Sequence, residues 1–378
     1  MALTLVNGPN EISYTRNIIN VVVQLEADPE YIDVYALCNI YDTFTNVVAT
    51  LFARPDDSYN VSYDISGVLD AITDFSFIGL SITSEKNTGA ALRYWCEVVQ
   101  YADGTPIDSV NIGLVGETPS LFSFKGGVSL QHISTNIFNL VKTNNMFLTW
   151  LDGDKVTIDQ PYYLYYLHQY DSAFITAEAE VFYSDGTSDT KTLVNFGEVF
   201  KYYLLKVAVG FNQQNLGDLQ PTKTPIYYKV WLSGTFADPF TFTIDDSYVP
   251  FPKYISFANS LGGFNYAVLK GKNESEIIPT ASLTEKTNSA GKGVSSFGHL
   301  LENKISASTG HISVKNAEAF ADIFTTCHTY EKLNNRFIQI SVSTKSKLKY
   351  SEVDNLISIP IEYSRAYINR NFTPDATS

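Results

Sequence analysis

The sequence lacks the signatures of several classes of protein. It has only three cysteines among 378 residues, and an odd cysteine count without C-x-x-C spacing argues against a zinc site or a disulfide scaffold. No apolar run approaches the roughly 18 residues of a membrane span. Residues 1–5 contain neither the basic stretch nor the apolar stretch of a secretory signal. These absences predict a protein without a membrane span, made in a reducing cytoplasm.

Charge is scarce and unevenly placed. Charged residues make up 17% of the chain, below the share of about 25% that is typical of soluble domains. Residues 1–118 carry 4 basic and 16 acidic side chains, whereas residues 266–378 carry 13 basic and 11 acidic ones. With a net charge of −14 and no basic run, the chain is expected to bind no nucleic acid. Opposite potentials at the two ends can orient a subunit in an assembly, and solubility alone is the alternative explanation.

Aromatic residues are abundant, with 25 tyrosines and 24 phenylalanines. Apolar residues at 44% are too many for a disordered chain, and the length suits two or three domains of about 100–200 residues each. Runs of β-branched and aromatic residues end at turn signals, as residues 94–101 do before Asp103-Gly104. The pattern predicts a mainly β protein built from β-sandwiches.

Two short patterns recur at a spacing that suits a domain. The pattern V-x-x-D, followed five residues later by Leu, ends at Asp64 and again at Asp159, and Y-x-D-G-T occurs at 101–105 and 183–187. We predict tandem sandwiches of fibronectin-III or immunoglobulin type. They are expected over residues 1–118 and 119–250. Chance similarity between strands is the alternative.

The composition changes near residue 250, where Asn259 begins the hexapeptide Asn-Ser-Leu-Gly-Gly-Phe between two apolar runs. Paired glycines in such a place predict a tight turn between two strands. We expect Gly262 and Gly263 to adopt backbone angles that a Cβ disfavours. Leu261 and Phe264 are expected to pack at the junction between the sandwiches and the C-terminal region.

The rest of the C-terminal region, 251–378, mixes two kinds of pattern. Residues 270–310 are polar and rich in Gly, Ser, Thr and Asn, which predicts a long polar loop that is either mobile or ordered as an arm by a neighbour. Residues 315–326 show helical spacing of apolar side chains, and strand patterns follow. We therefore expect an α+β assembly region.

The cysteines suggest no chemistry. Cys38 lies on the inward face of an alternating run over residues 32–40, and Cys96 lies in another predicted strand. The two could pair across a sandwich, although a reducing cytoplasm favours free thiols. Cys327 precedes His328, but adjacent side chains at a helix end point apart, so no thiolate–imidazole dyad is expected.

No catalytic constellation stands out among the other residues. The five histidines are scattered without metal-ligand spacing, at His132, His168, His299, His311 and His328. A Ser-His-Asp triad converges only in space, so the sequence does not exclude one. We predict no catalytic residue, no cofactor site and no metal site, and therefore no enzyme.

Carboxylate pairs and an aromatic run remain. The pairs are Asp56 with Asp57, Asp152 with Asp154, and Asp245 with Asp246. Turn residues that end strands are the favoured interpretation; a Ca²⁺ site, or the acid and base of glycoside hydrolysis, are alternatives. The aromatic run 162–167 could stack on sugars, but the area that such side chains bury favours core and interface positions.

The turn at 259–264 resembles a motif of a known family. With several weaker segments, it is similar to virion proteins, associated with the tail or baseplate, of tailed phages and prophages of Bacteroidetes. The weaker segments are Arg54-Pro55-Asp56, Val61, Asp64-Ile65-Ser66, Leu69, the tyrosine-rich strand 94–104, and Ile361-Glu362-Tyr363-Ser364-Arg365-Ala366. The resemblance covers most of the chain. Related sequences often have Asp after the turn where this chain has Asn265.

The resemblance implies fibronectin-like sandwiches and a structural role without a reaction. We expect a non-enzymatic subunit of a phage virion, in the tail, baseplate, collar or fibre-attachment region, whose partners are other copies of itself and other virion proteins. A receptor- or glycan-binding adhesin of the same particle is the alternative, and a bacterial polysaccharide-binding protein is a distant third. The segment 270–310 is expected to reach a neighbouring subunit, and salt should weaken that association.

Overall fold

The structure is a computed structural model. It describes residues 3–28, 30–42, 45–73, 83–127, 147–151, 155–235, 237–271, 273–288, 291–326, 328–333, 336–343 and 356–365. Most of these residues lie in β-strands, as the alternating apolar patterns predict. No helix among them is long and apolar enough to cross a membrane.

The first unit contains twelve strands and one helix in the described ranges. They are β1 (Thr4–Asn7), β2 (Ile12–Tyr14), β3 (Asn20–Gln24), β4 (Val34–Tyr41), β5 (Val47–Ala53), β6 (Asn60–Asp64), α1 (Ser66–Ile72), β7 (Glu85–Asn87), β8 (Ala91–Ala102), β9 (Thr105–Ile112), β10 (Leu114–Val115), β11 (Thr118–Pro119) and β12 (Leu121–Phe124).

Two larger sheets and the two-stranded sheet β10-β11 form the described part of this unit. One larger sheet has the order β1-β3-β6, and the other has the order β2-β12-β8-β4-β5 with β9 beside β8. Val21 and Val61 of the first sheet share one core with Cys38 and Val98 of the second, so the sheets pack face to face as a sandwich. The unit runs past the expected boundary at residue 118, because β12 pairs with both β8 and β2.

Where the structure describes it, the second unit has seven strands and two short 3₁₀ helices. They are β13 (Lys155–Val156), β14 (Tyr163–Leu167), β15 (Ala173–Tyr183), β16 (Ser188–Val199), β17 (Leu204–Ala208), the 3₁₀ helices Asn212–Gln214 and Leu216–Leu219, β18 (Pro225–Ser233) and β19 (Phe240–Ile244). The sheets have the orders β13-β19-β18-β15-β16 and β14-β17-β7. Strand β7 comes from the first unit, so the two units share a sheet.

The two units repeat one topology. In the first unit the hairpins β4–β5 and β8–β9 place their first strands side by side, and in the second unit β15–β16 and β18–β19 do the same. Strands β2 and β13 each lie parallel to the last strand of their unit. The repetition is one of strand order and direction.

The sequence pattern from which we predicted the repeat does not mark equivalent positions in the two units. Asp64 ends β6, which is antiparallel to β3, whereas Asp159 follows β13, which is parallel to β19. Leu69 lies in helix α1, whereas Leu164 lies in strand β14. A pattern of three matched positions is short enough to recur at the ends of unrelated strands.

The C-terminal unit is built on a third large sheet. Its elements are β20 (Lys253–Ala258), β21 (Phe264–Leu269), β22 (Glu274–Asn288), β23 (Gly291–Ser308), β24 (Ile312–Ser313), α2 (Val314–Ala319), a 3₁₀ helix (Phe320–Phe324), β25 (Thr329–Leu333), β26 (Arg336–Val342), β27 (Leu356–Ile357) and β28 (Pro360–Arg365). The large sheet has the order β21-β20-β25-β26-β28-β23-β22. The helical spacing over 315–326 therefore corresponds to α2 and the 3₁₀ helix.

This sheet is covered on both faces. Tyr266 and Phe337 on one face contact Tyr163 of β14, with ring centroids 5.2 and 6.5 Å away. On the other face Phe257 packs against Phe320 of the 3₁₀ helix, with centroids 5.5 Å apart. The sheet of β14 and β17 is consequently buried between the second unit's other sheet and the C-terminal unit.

The prediction of a long loop over 270–310 is wrong. Strands β22 and β23 form one antiparallel hairpin, paired from Glu274 with Ser306 to Asn288 with Gly291. Mutual pairing satisfies the inward-facing backbone groups of each strand without any apolar period, which explains why the polar composition did not show the strands. Because β28 pairs only with residues 304–308 of β23, residues 277–288 and 291–303 form an arm, about 40 Å long at roughly 3.3 Å per residue.

Candidate functional site: the junction at residues 259–264

The turn between β20 and β21 is organised by a buried amide. Asn259 is 1% exposed, and its Oδ1 accepts hydrogen bonds from the backbone N–H groups of Leu261 and Gly263, each at 3.0 Å. Its Nδ2 donates to the carbonyl oxygen of Leu148 at 2.8 Å and to Oδ1 of Asn265 at 2.9 Å. Both donors and both acceptor positions of the amide are used. Asn259 therefore holds the turn closed and attaches it to the segment that contains Leu148.

The two glycines are required for different reasons. Gly262 has φ +87°, and a Cβ there would lie 2.3 Å from the carbonyl oxygen of Lys125 and 2.3 Å from a ring carbon of Phe124. Gly263 does not have a positive φ. The expectation of a left-handed backbone is therefore correct for Gly262 and wrong for Gly263. At Gly263 the constraint is space, because a Cβ would lie 2.7 Å from the carbonyl oxygen of Leu148.

The first unit contacts the turn through backbone groups. The Tyr14 hydroxyl donates to the carbonyl oxygen of Leu261 at 3.0 Å, and the N–H of Gly127 donates to the carbonyl oxygen of Ser260 at 2.8 Å. Leu261 is buried in the same cluster as Tyr14 and Phe124. The turn is thus attached to β2 and to the residues that follow β12 in the first unit.

The C-terminal unit contacts the turn through a carboxylate. Asp322 accepts hydrogen bonds from the backbone N–H of Ser260 at 2.9 Å and from its hydroxyl at 3.3 Å. Trp150 Nε1 donates to the same hydroxyl oxygen at 2.9 Å. Burial raises the pKa of Asp322, and the bonds from Ser260 oppose that rise. This set of bonds joins the turn to the 3₁₀ helix.

Aromatic packing completes the junction. The Phe264 ring lies 5.9 Å from Tyr165 of β14 and 6.2 Å from Tyr330 of β25, between centroids. The hydroxyls of Tyr165 and Tyr266 are 2.9 Å apart. Three units therefore meet at one turn, and its contacts are those of a structural joint.

The cysteines lie together, but not across the sandwich. Cys38 and Cys96 are free and buried on the adjacent strands β4 and β8, where Cys38 pairs with Val98 and Cys96 with Ile40. A hydrogen bond with the Cys38 thiol, and then burial, raises the pKa of Cys96 well above its ordinary value. The alternative of a pair across the two sheets does not apply, because both thiols belong to one sheet. Cys327 lies outside the described residues.

In the acidic pairs that the structure describes, Asp56 and Asp245 accept hydrogen bonds from backbone N–H groups of their own turns. Asp56 accepts hydrogen bonds from the backbone N–H groups of Ser58 and Asn60, each at 2.9 Å. Burial raises the pKa of Asp245, but hydrogen bonds from Lys270 and Ser247 outweigh it and bring the pKa to about 2. No group of three His, Cys, Asp or Glu side chains suited to a metal ion occurs in the described ranges. Asp152 and Asp154 lie outside them.

The aromatic run of residues 162–167 is buried throughout, each residue being at most 3% exposed. Tyr162 faces Phe242 of the second sandwich, with centroids 4.9 Å apart, and Tyr163 faces Tyr266 of the C-terminal unit at 5.2 Å. The preference for core and interface is confirmed, and the run offers no platform to a sugar.

The histidine side chains that the structure describes do not form a cluster. His168 is buried, and its Nε2 lies 2.7 Å from the carbonyl oxygen of Asp171. His311 is exposed and His328 is half-buried. His132 and the side chain of His299 lie outside the described residues.

One buried cation was not expected from the sequence. Lys206 of β17 is 0% exposed, and its Nζ lies 4.6 Å from the ring centroid of Tyr163. Glu85 of β7 is its cross-strand partner. Burial lowers the pKa of Lys206 to about 8, and the charge of Glu85 opposes that change. A lysine inside an apolar strand is usually a side chain that reaches water, so the sequence carried no signal of this burial.

The lowered pKa of Lys206 predicts that the free energy of unfolding rises as the pH increases above about 8. Below pH 8 the ammonium is charged in both states, and its burial penalty is present in the folded state. Between pH 8 and about 10 the unfolded chain keeps a proton that the folded chain has lost, so the free energy of unfolding should rise by up to about 1.4 kcal/mol per pH unit. Urea unfolding of Lys206→Met from pH 7 to pH 9.5 should lack this rise. An equal slope in the variant and the parent would contradict the assignment.

Comparisons with known proteins identify no family. No family model and no curated protein matches the chain. Among solved structures, CBD12 from CALX1.2 aligns at 8% identity and a TM-score of 0.21, over 61% of this chain and 79% of that one. Invasin, a bacterial integrin-binding protein, aligns at 7% identity and a TM-score of 0.25, over 83% of this chain and 62% of that one. At these TM-scores neither likeness bears on fold or function.

Proposed function

We propose that the chain is a non-enzymatic structural subunit of a phage virion and that it acts through protein–protein contacts. The tail, baseplate, collar and fibre-attachment region are the candidate positions. The observation that carries the proposal is the combination of three interlocked units with one projecting arm. The junction residues serve to join units, and the arm offers backbone groups to a neighbour.

The strand and the side-chain contacts shared between the first two units support a role in carrying mechanical force. Strand β7 of the first unit completes a sheet of the second, and Lys86 Nζ donates to the carbonyl oxygens of Phe196 and Glu198 at 3.2 and 2.9 Å. Lys201 forms an ion pair with Glu11 at 2.7 Å. These contacts oppose bending between the first two units.

The finer fold assignment is part of the same proposal. The hairpins with adjacent first strands, and the parallel first and last strands, favour sandwiches of fibronectin-III or immunoglobulin type. The seven-stranded sheet with α2 and the 3₁₀ helix on one face favours an α+β assembly region.

Deleting the arm tests the assembly role. Residues 279–301 would be replaced by a short Gly-Ser turn that leaves the pairing of β23 with β28 intact. Mass photometry should show oligomers for the parent chain, fewer of them at high salt, and monomers for the deletion. Oligomers of equal size in both would contradict an assembly role for the arm.

A receptor- or glycan-binding adhesin is the second candidate. It is favoured by the outer face of the second sandwich, where Phe182 and Tyr227 stack with centroids 4.4 Å apart and Phe174 is 75% exposed. Glycan-array binding that Tyr227→Ala abolishes would support this candidate over a purely structural role.

A further inference from the structure

Strand β5 is an edge strand without the usual protection. It ends its sheet, and its seven residues, Val47–Ala53, include no proline and no charged side chain. Val47 is 45% exposed and Phe52 is 59% exposed. No strand in the described ranges pairs with its outer edge. Such an edge is a template for another strand.

The other long edges of the sandwiches are protected. In β16, Lys86 Nζ binds two of the backbone carbonyls, those of Phe196 and Glu198, and the register with β15 shifts twice. β9 contains Pro106 beside a shift in its register with β8, and Asp108 accepts a hydrogen bond from the backbone N–H of Leu3. Charged side chains, bulges and proline are the devices that block edge pairing, so the contrast with β5 is specific.

An aromatic ladder ends open at the same edge. Phe52 of β5 lies 5.4 Å from Tyr35 of β4, and Tyr35 stacks on Tyr101 of β8 at 5.0 Å, between centroids. A strand added to β5 would lie about 4.7–4.9 Å away, which places its side chains beside Phe52. Cross-strand aromatic pairs of this kind stabilise sheets.

The arm has the complementary property. Along residues 291–303, β23 pairs with β22 on one side, and no described strand pairs with it on the other. Isolated two-stranded hairpins are marginally stable in water, so the arm gains stability from a further strand. Its length of about 40 Å exceeds that of β5, about 23 Å for seven residues.

We propose that the outer edge of β5 binds the arm of a second copy of this chain by β-strand addition. The inference rests on the assembly role proposed above and specifies its contact. Because the arm and the edge are different surfaces, the contact is head-to-tail and generates a ring or a filament.

Site-directed cross-linking tests the contact. One variant carries Thr50→Cys on β5 and another carries Ser295→Cys on the arm, both with Cys327→Ser, and a bismaleimide is the cross-linker. Mixing the two should give a cross-linked pair that neither variant gives alone. A cross-link within each variant alone would show contacts between like surfaces and would overturn the head-to-tail assignment.

Charge placed on the edge provides the second test. Val47→Lys with Phe52→Lys should shift the oligomer to monomers in mass photometry. The matched pair Thr190→Lys with Thr192→Lys, on the protected edge strand β16, should leave it unchanged. If the β5 variant assembles like the parent while deletion of the arm still gives monomers, the β5 contact is wrong and the assembly role stands.

Hydrogen exchange separates a contact between copies from one within the chain. In the dilute monomer the outward amides of β5 should exchange quickly, and in the oligomer they should be protected. Equal protection in both states would show that a segment of the same chain covers the edge and would overturn the proposal.

Discussion

Gly262→Ala is expected to lower the free energy of unfolding by about 4 kcal/mol, an effect at the upper end for a single substitution. Two causes add. A left-handed backbone costs a residue with a Cβ about 1–2 kcal/mol, and Gly262 has φ +87°. The new Cβ would also lie 2.3 Å from the carbonyl oxygen of Lys125, so backbone of the first unit must move. Urea unfolding measures the loss.

Gly186 is the matched control. Its φ is +83°, and a Cβ there would meet no atom within 4 Å. Gly186→Ala should therefore show the backbone cost alone, about 1–2 kcal/mol. Gly263→Ala, with a contact but no left-handed backbone, should fall between the two. Equal losses at Gly262 and Gly186 would mean that the turn is not pressed against the first unit.

Arg365→Met is expected to destabilise the chain by about 3–5 kcal/mol, the usual cost of breaking a buried ion pair. Arg365 Nε lies 2.9 Å from Glu331 Oε2, and the two side chains are 7% and 1% exposed. Lys253 Nζ is 3.5 Å from the other carboxylate oxygen and is 25% exposed. Without Arg365, the buried Glu331 carboxyl loses its nearest cationic partner and retains the longer contact with Lys253.

The double variant Glu331→Leu with Arg365→Met isolates the uncompensated charge. Removing both partners leaves neither charge of this pair in the sheet, so most of the lost stability should return. Thermal unfolding of the two single variants and the double variant gives the coupling. A double variant that is as unstable as Arg365→Met would show that packing, rather than charge, sets the cost.

The sequence predicted what local patterns control. Asp103-Gly104 and Asp185-Gly186 turn their hairpins, and the 259–264 turn joins β20 to β21. The sequence could not show which residues that are far apart in the chain come into contact. Leu148, which Asn259 binds, is 111 residues away, and no period or composition marks such a pair.

Two failures have the same physical origin. Strand β7 has only three residues and is stabilised by pairing with β17 of the next unit, so its own sequence shows no strand signal. The hairpin of β22 and β23 is stabilised by mutual backbone pairing, while its Gly, Ser and Thr residues resemble a loop. In both cases the partner strand, rather than local propensity, decides the structure.

We have proposed that the chain is a fixed part of a virion. Its most direct test is electron microscopy of particles purified by density gradient from cells that carry the chain with a gold-labelled C-terminal tag. We expect the tagged chain to sediment with intact particles and the label to occupy one constant position on each particle. Two results together would contradict the virion role. The tagged chain would stay in the particle-free fractions, and particles would assemble in cells that lack the chain.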